Sequence, residues 1–233
     1  MELEQIASIL ALTMGAAWAS GINLYAAIFM LGIMGSTGNM ELPPGLEVLE
    51  NPLVLMAAGA MYVAEFFADK IPGVDSGWDA IHTFIRIPAG AMLAAGAVGE
   101  VDPAVAIAAG ILGGGLSAVT HATKAGTRAL VNTSPEPFSN WTLSISEDIA
   151  VIAGLWTALN HPVLFLVALA LFIVLVIWLL PKLWRGIKAL FRRISRLFGG
   201  GPDDASGAET AKTVAEASPE TKDETPSQHS PSG

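Results

Sequence analysis

Six long apolar segments, separated by short stretches rich in proline, glycine or acidic residues, constrain the fold of this 233-residue chain more than any other feature. About 20 apolar residues suffice to cross a bilayer as a helix. Charged residues make up only 14% of the chain, whereas soluble domains carry about 25%. The sequence therefore predicts an all-α, polytopic membrane protein of about six transmembrane helices, over residues 5–35, 51–70, 75–98, 103–131, 140–159 and 163–180.

A different pattern begins after the sixth segment. Residues 182–198 place apolar side chains on one helix face and basic side chains on the other, which is typical of a helix that lies on an anionic lipid surface. The basic side chains expected to bind the membrane surface are Lys182, Arg185, Lys188, Arg192, Arg193 and Arg196. Residues 199–233 are polar and acidic and are expected to form a disordered tail. The predicted domains are thus 1–181, 182–198 and 199–233.

The distribution of charge predicts the orientation of the segments. Residues 1–181 contain only four strong bases, and most of the others cluster directly after the sixth segment. The positive-inside rule places this cluster in the cytoplasm, and six crossings would then place both termini there. Each half of the apolar region has three segments with a similar order of loops, so the halves are a candidate 3+3 inverted repeat, as in many transporters.

Polar side chains with helical spacing mark the candidate functional site. Asp75, Asp79, His82 and Arg86 lie at i, i+4, i+7 and i+11, on one face of a predicted helix. Ser117, His121, Lys124 and Arg128 repeat the same spacing in the fourth segment. Ionisable groups in a membrane are costly and are retained where they pair with one another or line a wet path. The candidate pathway residues are Glu65, Asp69, Asp75, Asp79, His82, Arg86, His121, Lys124, Arg128 and Glu147.

Two hypotheses explain this set. In the first, the residues line a cytoplasm-facing cavity that passes a small polar solute, coupled to an ion or proton. Lys124 and Arg128 would hold an anionic group of the solute, and Glu65, the deepest carboxyl, would carry the proton. In the second, the protein is a scaffold or assembly factor, and the same charges are buried ion pairs that fix helix register.

Chemical alternatives have weaker support. Asp75, Asp79 and His82 have a spacing that suits a helical metal site, but Arg86 beside them opposes a bound cation. Ser117 or Ser144 with His121 or His82 would suit a hydrolase, yet the sequence has no GxSxG motif. The chain has no cysteine, which excludes disulfides and thiolate metal sites. We expect no cofactor, no metal and no nucleic-acid partner, leave enzymatic activity open, and leave a homo-oligomer possible.

Four motifs together resemble a known family. They are GINLYA at 21–26, ADKIPGVDSGWDAIHTFIRIPAG at 68–90, HATKAGTRALVNTSPEPFSN at 121–140 and EDIAVI at 147–152. The region of about residues 5–181 resembles the bacterial membrane family called domain of unknown function 4126. The resemblance implies a multi-pass protein of the bacterial cytoplasmic membrane and implies no reaction.

Overall fold

The fold consists of helices joined by short connections. A computed structural model describes residues 2–71, 73–132 and 137–197, without the side chains of residues 137, 190 and 193–197. No strand occurs in these ranges, so the predicted all-α fold is confirmed. The helices are α1 (Leu3–Ser36), a short 3₁₀ helix (Glu47–Glu50), α2 (Pro52–Ala68), α3 (Val74–Ala97), α4 (Pro103–Val131), α5 (Pro137–Asn160) and α6 (Pro162–Leu197).

Five of these helices, all except α2, are long and apolar enough to cross a membrane by length and composition. Helix α2 has 17 residues, which is near the lower limit for a span. Large apolar side chains such as Phe84, Met92 and Ile111 are exposed on the outside of the bundle. An apolar outer surface of this kind is what a lipid environment requires, and the prediction of a multi-pass membrane protein is confirmed.

Helix α1 is interrupted at Asn23, whose φ and ψ of −144° and 97° are extended. The side chain of Asn23 accepts a hydrogen bond from the backbone N–H of Ala26 at 2.9 Å. This is the geometry of an N-cap, so a second helix begins after Asn23. A glycine within a long apolar helix favours a break, and the structure has the break two residues after Gly21. We call residues 3–22 the first arm and residues 24–36 the second arm.

The two arms run in opposite directions. In the first arm, Gly15 packs against Ala158 near the end of α5, and Trp18 packs against Gly154 one turn earlier. Asn23 then reaches Asp148, nearer the start of α5. The second arm runs back along α2 toward the start of that helix. Its contacts with the α2 region are, in order, Phe29 with Gly59, Gly32 with Leu55 and Gly35 with Glu50. Helix α1 is therefore a helical hairpin with Asn23 at its tip.

The hairpin defines two ends of the bundle. One end contains the α2–α3 connection (residues 69–73), the end of α4 and the start of α5, and we call it the polar end. The opposite end contains residues 37–51, 98–102 and 160–162, and both Leu3 and Ser36 lie there, since Glu4 and Ser8 share a cavity with Asn160 and His161. Helices α2 to α5 each run from one end to the other, in alternating directions. Helix α6 begins at the opposite end, and its Leu183 contacts Gly126 of α4.

This arrangement bears on the predicted topology, which counted α1 as a single span. Because α1 begins and ends at the opposite end, it is a hairpin, and α2 to α6 run between the two ends. Leu3 and the basic residues Lys182 and Arg185 of α6 therefore lie at different ends of the bundle. The apolar length of α1 suggested a span, and only the reversal at Asn23 makes it a hairpin.

Two further segments differ from expectation. The proline, glycine and glutamate residues of positions 36–50 favour an exposed loop, but Leu42, Leu46 and Leu49 are buried against Leu93 and Ala97 of α3. The predicted separate helix over 182–198 is a continuation of α6, which extends without interruption through Pro181 to Leu197.

The chain divides into two units at Lys188. In the second unit the structure describes only the end of α6. The side chains of Arg193 and Arg196 and the predicted tail 199–233 lie outside the described residues. The 3+3 inverted repeat stays a prediction. Helix α1 is broken at Asn23, whereas α4, which would correspond to it in the second half, is continuous.

Small residues bring α1, α3 and α4 together. A Cβ added at Gly21 would lie 2.6 Å from the carbonyl oxygen of Ser117, and one at Gly90 would lie 2.6 Å from Ser20 Oγ. Such close approach of backbones is typical of packing between membrane helices. It brings the polar faces of α3 and α4 within hydrogen-bonding distance of each other and of the hairpin tip.

Candidate functional site: a buried ion-pair network at the hairpin tip

Helices α3 and α4 are antiparallel, and their polar stripes face each other. Ser117 Oγ donates to the carbonyl oxygen of Arg86 at 2.9 Å. Two turns further along α4, Lys124 lies 3.8 Å from Asp79. At the polar end, Arg128 lies 3.6 Å from Asp75. The equal i, i+4, i+7, i+11 spacing of the two stripes thus produces matched pairs along the whole contact.

Arg86 joins α2, α3 and α4. Its guanidinium is fully buried, pairs with Glu65 of α2, and donates to Asp79 Oδ1 at 3.1 Å. The same nitrogen lies 3.1 Å from Nδ1 of His121. Glu65 had been the deepest candidate for a proton carrier, but both Arg86 and Lys124 contact it, the latter at 3.2 Å.

Lys124 lies at the centre of the site. Its ammonium group is within 4 Å of four carboxylates, those of Glu65, Asp69, Asp79 and Glu147. It also donates to the carbonyl oxygen of Ile22 at 2.9 Å. That carbonyl is at the end of the first arm of α1, where helix geometry leaves it without an intrahelical partner. A lysine thus satisfies the acceptor that the hairpin reversal exposes.

Arg128 closes the polar end. Its guanidinium donates to the side chain of Asp69 at 2.9 Å and to the backbone oxygen of Asp69 at 2.9 Å, and it pairs with Glu147 of α5. Asp75 also receives two hydrogen bonds from Asn132, the C-cap of α4. These contacts tie the α2–α3 connection to α4 and α5.

The network has more acids than bases. We define the ion-pair network as Glu65, Asp69, Asp75, Asp79, Arg86, Lys124, Arg128 and Glu147. Glu147 has the most exposed side chain, at 12%. If all groups are ionised, five carboxylates face three bases, which is a buried excess of two negative charges. Three carboxylate oxygens, Glu65 Oε2, Asp69 Oδ1 and Asp79 Oδ2, have no hydrogen-bond partner among the described residues. Uncompensated buried charge is costly, so the network favours bound protons or cations.

The two histidines lie beside the network rather than in it. His121 contacts Arg86 and the hydroxyl of Thr83, at 2.7 Å. His82 contacts the hydroxyl of Tyr25 at 3.0 Å, just after the hairpin tip. The ten sequence-predicted residues therefore extend along about three turns of the facing stripes of α3 and α4 and the adjoining parts of α2 and α5, and eight of them form ion pairs. Lys70, in the α2–α3 connection, points away over the Phe66 ring, and partial burial lowers the pKa of its ammonium group.

The hairpin tip adds residues that the sequence analysis did not select. Asn23 Nδ2 donates to Asp148 Oδ1 at 3.0 Å. Asn140 donates to the backbone oxygen of Asp69 at 3.1 Å. The position of Asp148 beside Glu147, and of Asn140 eight residues earlier, was visible in the sequence. Asn23 had no such signal, since an asparagine in an apolar segment does not reveal that the chain reverses there.

A cavity of about 360 Å³ reaches the network from the side. Lys124 and Glu147 are the two network residues in its wall. Its other polar walls carry hydroxyl groups from α4 and α5, and Phe172 of α6 borders it. The polar wall residues are Thr120, Thr123, Lys124, Thr127, Ser146 and Glu147. Most of the accessible wall is nevertheless apolar, because the side chains of Lys124 and Glu147 are only 2% and 12% exposed.

The geometry gives no support to the metal or hydrolase alternatives. Asp75, Asp79 and His82 contact different partners, namely Asn132, Arg86 and Tyr25. No group of three or more potential ligands in the described part of the chain is placed to hold a metal ion. Ser117 donates to a backbone carbonyl and not to a histidine.

A family model described as Domain of unknown function (DUF4126) matches residues 10–182, which include most of the hairpin, the whole network and the apolar part of α6. The chain belongs to the DUF4126 family. The resemblance expected from the four motifs is thereby confirmed. No curated protein and no solved structure matched the chain.

Proposed function

We propose that this DUF4126 protein is a proton-coupled carrier of a small polar solute, and that the solute binds in the cavity beside Lys124 and Glu147. The observation that carries this proposal is the reversal of α1 at Asn23, next to both the ion-pair network and the cavity. In many transporters, interrupted helices place their free ends at the substrate and coupling-ion sites near the middle of the membrane.

The ends of the two arms suit that role electrostatically. The first arm ends at Ile22, where the negative end of a helix dipole meets Lys124. The second arm begins at Asn23, where the positive end of a dipole meets Asp148. Movement of the tip would separate both pairs at once. The hairpin is therefore a natural gate for the cavity.

The excess of carboxylates supports proton coupling and bears on the solute. The two uncompensated negative charges of the network favour a proton bound in the network or directly beside it. Lys124 and Arg128 are already paired with acids, which supports a neutral or cationic solute over the anionic one that the sequence left open. A solute amine would relieve the negative excess next to Glu147.

The orientation follows from the basic residues. With Lys182, Arg185, Lys188 and Arg192 in the cytoplasm, the polar end faces the cytoplasm and the N-terminus faces the periplasm of a bacterial cytoplasmic membrane. The acids Glu41, Glu47, Glu100 and Asp102 at the opposite end then lie outside. Anionic lipids would bind the basic residues. A homo-oligomer remains a prediction.

Reporter fusions test this orientation. A fusion before Glu4 should report the periplasm, and fusions to full-length protein at the C-terminus should report the cytoplasm. An insertion after Val101 should read periplasmic in either topology and serves as the control. A cytoplasmic N-terminus would contradict the hairpin arrangement.

A scaffold role is the second candidate, because the network charges are paired and nearly inaccessible. A scaffold needs its charges dry, whereas a carrier needs water to reach the cavity. The absence of native cysteine makes a direct comparison possible. Thr123 and Ser146 lie in the cavity wall, whereas Ile149, one turn from Ser146, is 61% exposed outside the cavity.

The experiment uses Thr123→Cys, Ser146→Cys and Ile149→Cys in the full-length protein, in vesicles with the polar end accessible. A charged, membrane-impermeant thiol reagent should modify the first two and spare the third, because lipid shields Ile149. If all three stay unmodified in folded protein, the cavity is closed to water and the scaffold role is favoured. Charge movement across supported membranes, measured with panels of neutral, cationic and anionic solutes, then tests transport itself.

A further inference from the structure

Asp148 differs from every acid of the ion-pair network. It is 8% exposed, and its Oδ1 accepts a hydrogen bond from Asn23 at 3.0 Å. Its Oδ2 has no partner among the described residues, and no base of the described chain lies within ion-pair distance of it. Each network acid, by contrast, contacts at least one lysine or arginine.

This difference in pairing divides the buried acids into those that keep their charge and those that can exchange a proton. A buried acid that is paired with a base keeps its charge, because losing it would strand the base. A buried acid with one neutral hydrogen bond is stabilised less in its charged form and exchanges a proton at lower cost. Glu65, the earlier candidate, belongs to the first class and Asp148 to the second.

The surroundings of Asp148 hold few competing groups. Asn23 of α1 is its hydrogen-bond partner, and the field at its carboxyl comes mainly from groups on the neighbouring elements. These groups are Tyr62 of α2, Asp69 and Lys70 of the α2–α3 connection, Lys124 of α4 and the adjacent Glu147. None of the bases in this set lies within ion-pair distance of Asp148. Asn23 of the hairpin tip is the group that contacts its carboxyl directly.

We propose that Asp148 is the carboxyl that binds and releases the coupling proton, and that its ionised form holds the hairpin tip in place through Asn23. The ionised carboxylate makes a charge-assisted hydrogen bond with the Asn23 amide, and protonation leaves a weaker neutral one. Proton uptake at Asp148 thus loosens the tip beside the cavity, and release of the proton restores it. This inference rests on the proposed carrier function.

The local chemistry favours a proton over a metal cation. Asn23 turns its amide nitrogen toward Asp148, because its oxygen already accepts from the Ala26 N–H. A cation at Asp148 would therefore meet a donor where it needs an oxygen ligand.

Infrared spectroscopy of the purified full-length protein tests the proton site. Wild-type protein should show a C=O stretch of a protonated carboxyl that disappears as pH rises. Asp148→Asn should remove this band, and Asp102→Asn, a change of the same atoms in an exposed acid at the start of α4, should leave it unchanged. If the titrating band survives in Asp148→Asn, or is absent from wild type, the proton is not held at Asp148 and the inference is wrong.

Thiol reactivity tests the link to the hairpin. Ile22 lines the cavity from the hairpin and Thr123 lines it from α4. The ratio of Ile22→Cys to Thr123→Cys modification is measured at each pH, and the same ratio in the Asp148→Asn background controls for the effect of pH on the two thiols. It should rise about fivefold at low pH, as expected when a charge-assisted hydrogen bond becomes neutral. The rise should vanish in the Asp148→Asn background, and a rise that persists there would contradict the coupling.

The two proposals fail in distinguishable ways. If the band titrates with Asp148 but no solute moves charge in the transport assay, the proton site stands and the carrier function fails. If solutes are transported but the band does not depend on Asp148, the carrier function stands and this inference fails.

Discussion

The acids at the two ends of the bundle have opposite environments. At the opposite end, Glu41, Glu47, Glu100 and Asp102 are exposed. At the polar end, the five network acids are nearly inaccessible and contact bases. The side chains are chemically alike, and the difference is that all four strong bases of residues 1–181 lie toward the polar end. Acids without nearby bases stay in water, whereas acids with bases form a buried network that becomes part of the fold.

The opposite end is held together by apolar contacts instead. Leu42, Leu46 and Leu49 fold back onto Leu93 and Ala97 of α3. Burial of one such leucine stabilises by about 1.5–3 kcal/mol. The stability of the polar end therefore depends on ion pairs, and that of the opposite end on apolar packing. Mutations at each end can measure these two contributions separately.

The largest effect should come from removing a base at the polar end. Arg128→Gln leaves Asp69 and Glu147 without a main partner and increases the negative excess, so we expect a loss of about 3–5 kcal/mol of stability. Unfolding in detergent, followed by circular dichroism, measures it. Arg185→Gln, an exposed arginine of α6, is the control and should change stability by less than about 0.5 kcal/mol. Equal effects of the two changes would mean that the network contributes nothing.

Close packing at the hairpin should give the next effect. Gly21→Ala places a Cβ 2.6 Å from the carbonyl oxygen of Ser117, and overpacking of this kind costs about 1–3 kcal/mol. Gly77 of α3 has open space where its Cβ would be. Gly77→Ala should therefore be neutral or stabilise by up to about 1 kcal/mol. The same unfolding assay compares them, and a Gly21→Ala variant as stable as wild type would contradict the close contact of α1 with α4.

The N-caps at the two ends offer a matched pair. Asn51 caps α2 at the opposite end by accepting from the Leu53 N–H, and Asn51→Ala should cost about 1 kcal/mol. Asn23→Ala removes a cap and also the hydrogen bond to Asp148, so its cost should be larger by roughly 1 kcal/mol. The double variant Asn23→Ala with Asp148→Asn should cost less than the sum of the two single changes. Strict additivity would show that the two side chains do not interact.

The smallest effect should come from the acids of the opposite end. Glu47→Gln changes an exposed side chain without an ion pair, and we expect a change within about 0.5 kcal/mol. Stability measured across a range of salt concentration should also stay the same as in wild type. A large loss would mean that this end, too, depends on charge.

Much of this protein was determined by local sequence. Helix α4 extends over residues 103–131 as predicted, because Asp102 caps it and Pro103 occupies its first turn, and both signals act over a few residues. The facing stripes of α3 and α4 follow from the spacing of their polar residues, since a helix turns by the same angle per residue wherever it lies. The ten candidate site residues were identified for the same reason.

Only the tertiary structure decided that α1 is a hairpin, that Glu65 is paired and that Asp148 is not. The reversal depends on one extended residue, Asn23, and it is stable because Lys124 and Asp148, more than 100 residues away, satisfy the groups it exposes. Likewise, the partner of a buried acid depends on which helices meet around it. Periodicity shows which face of a helix is polar, but the contacts across that face arise from packing between distant segments.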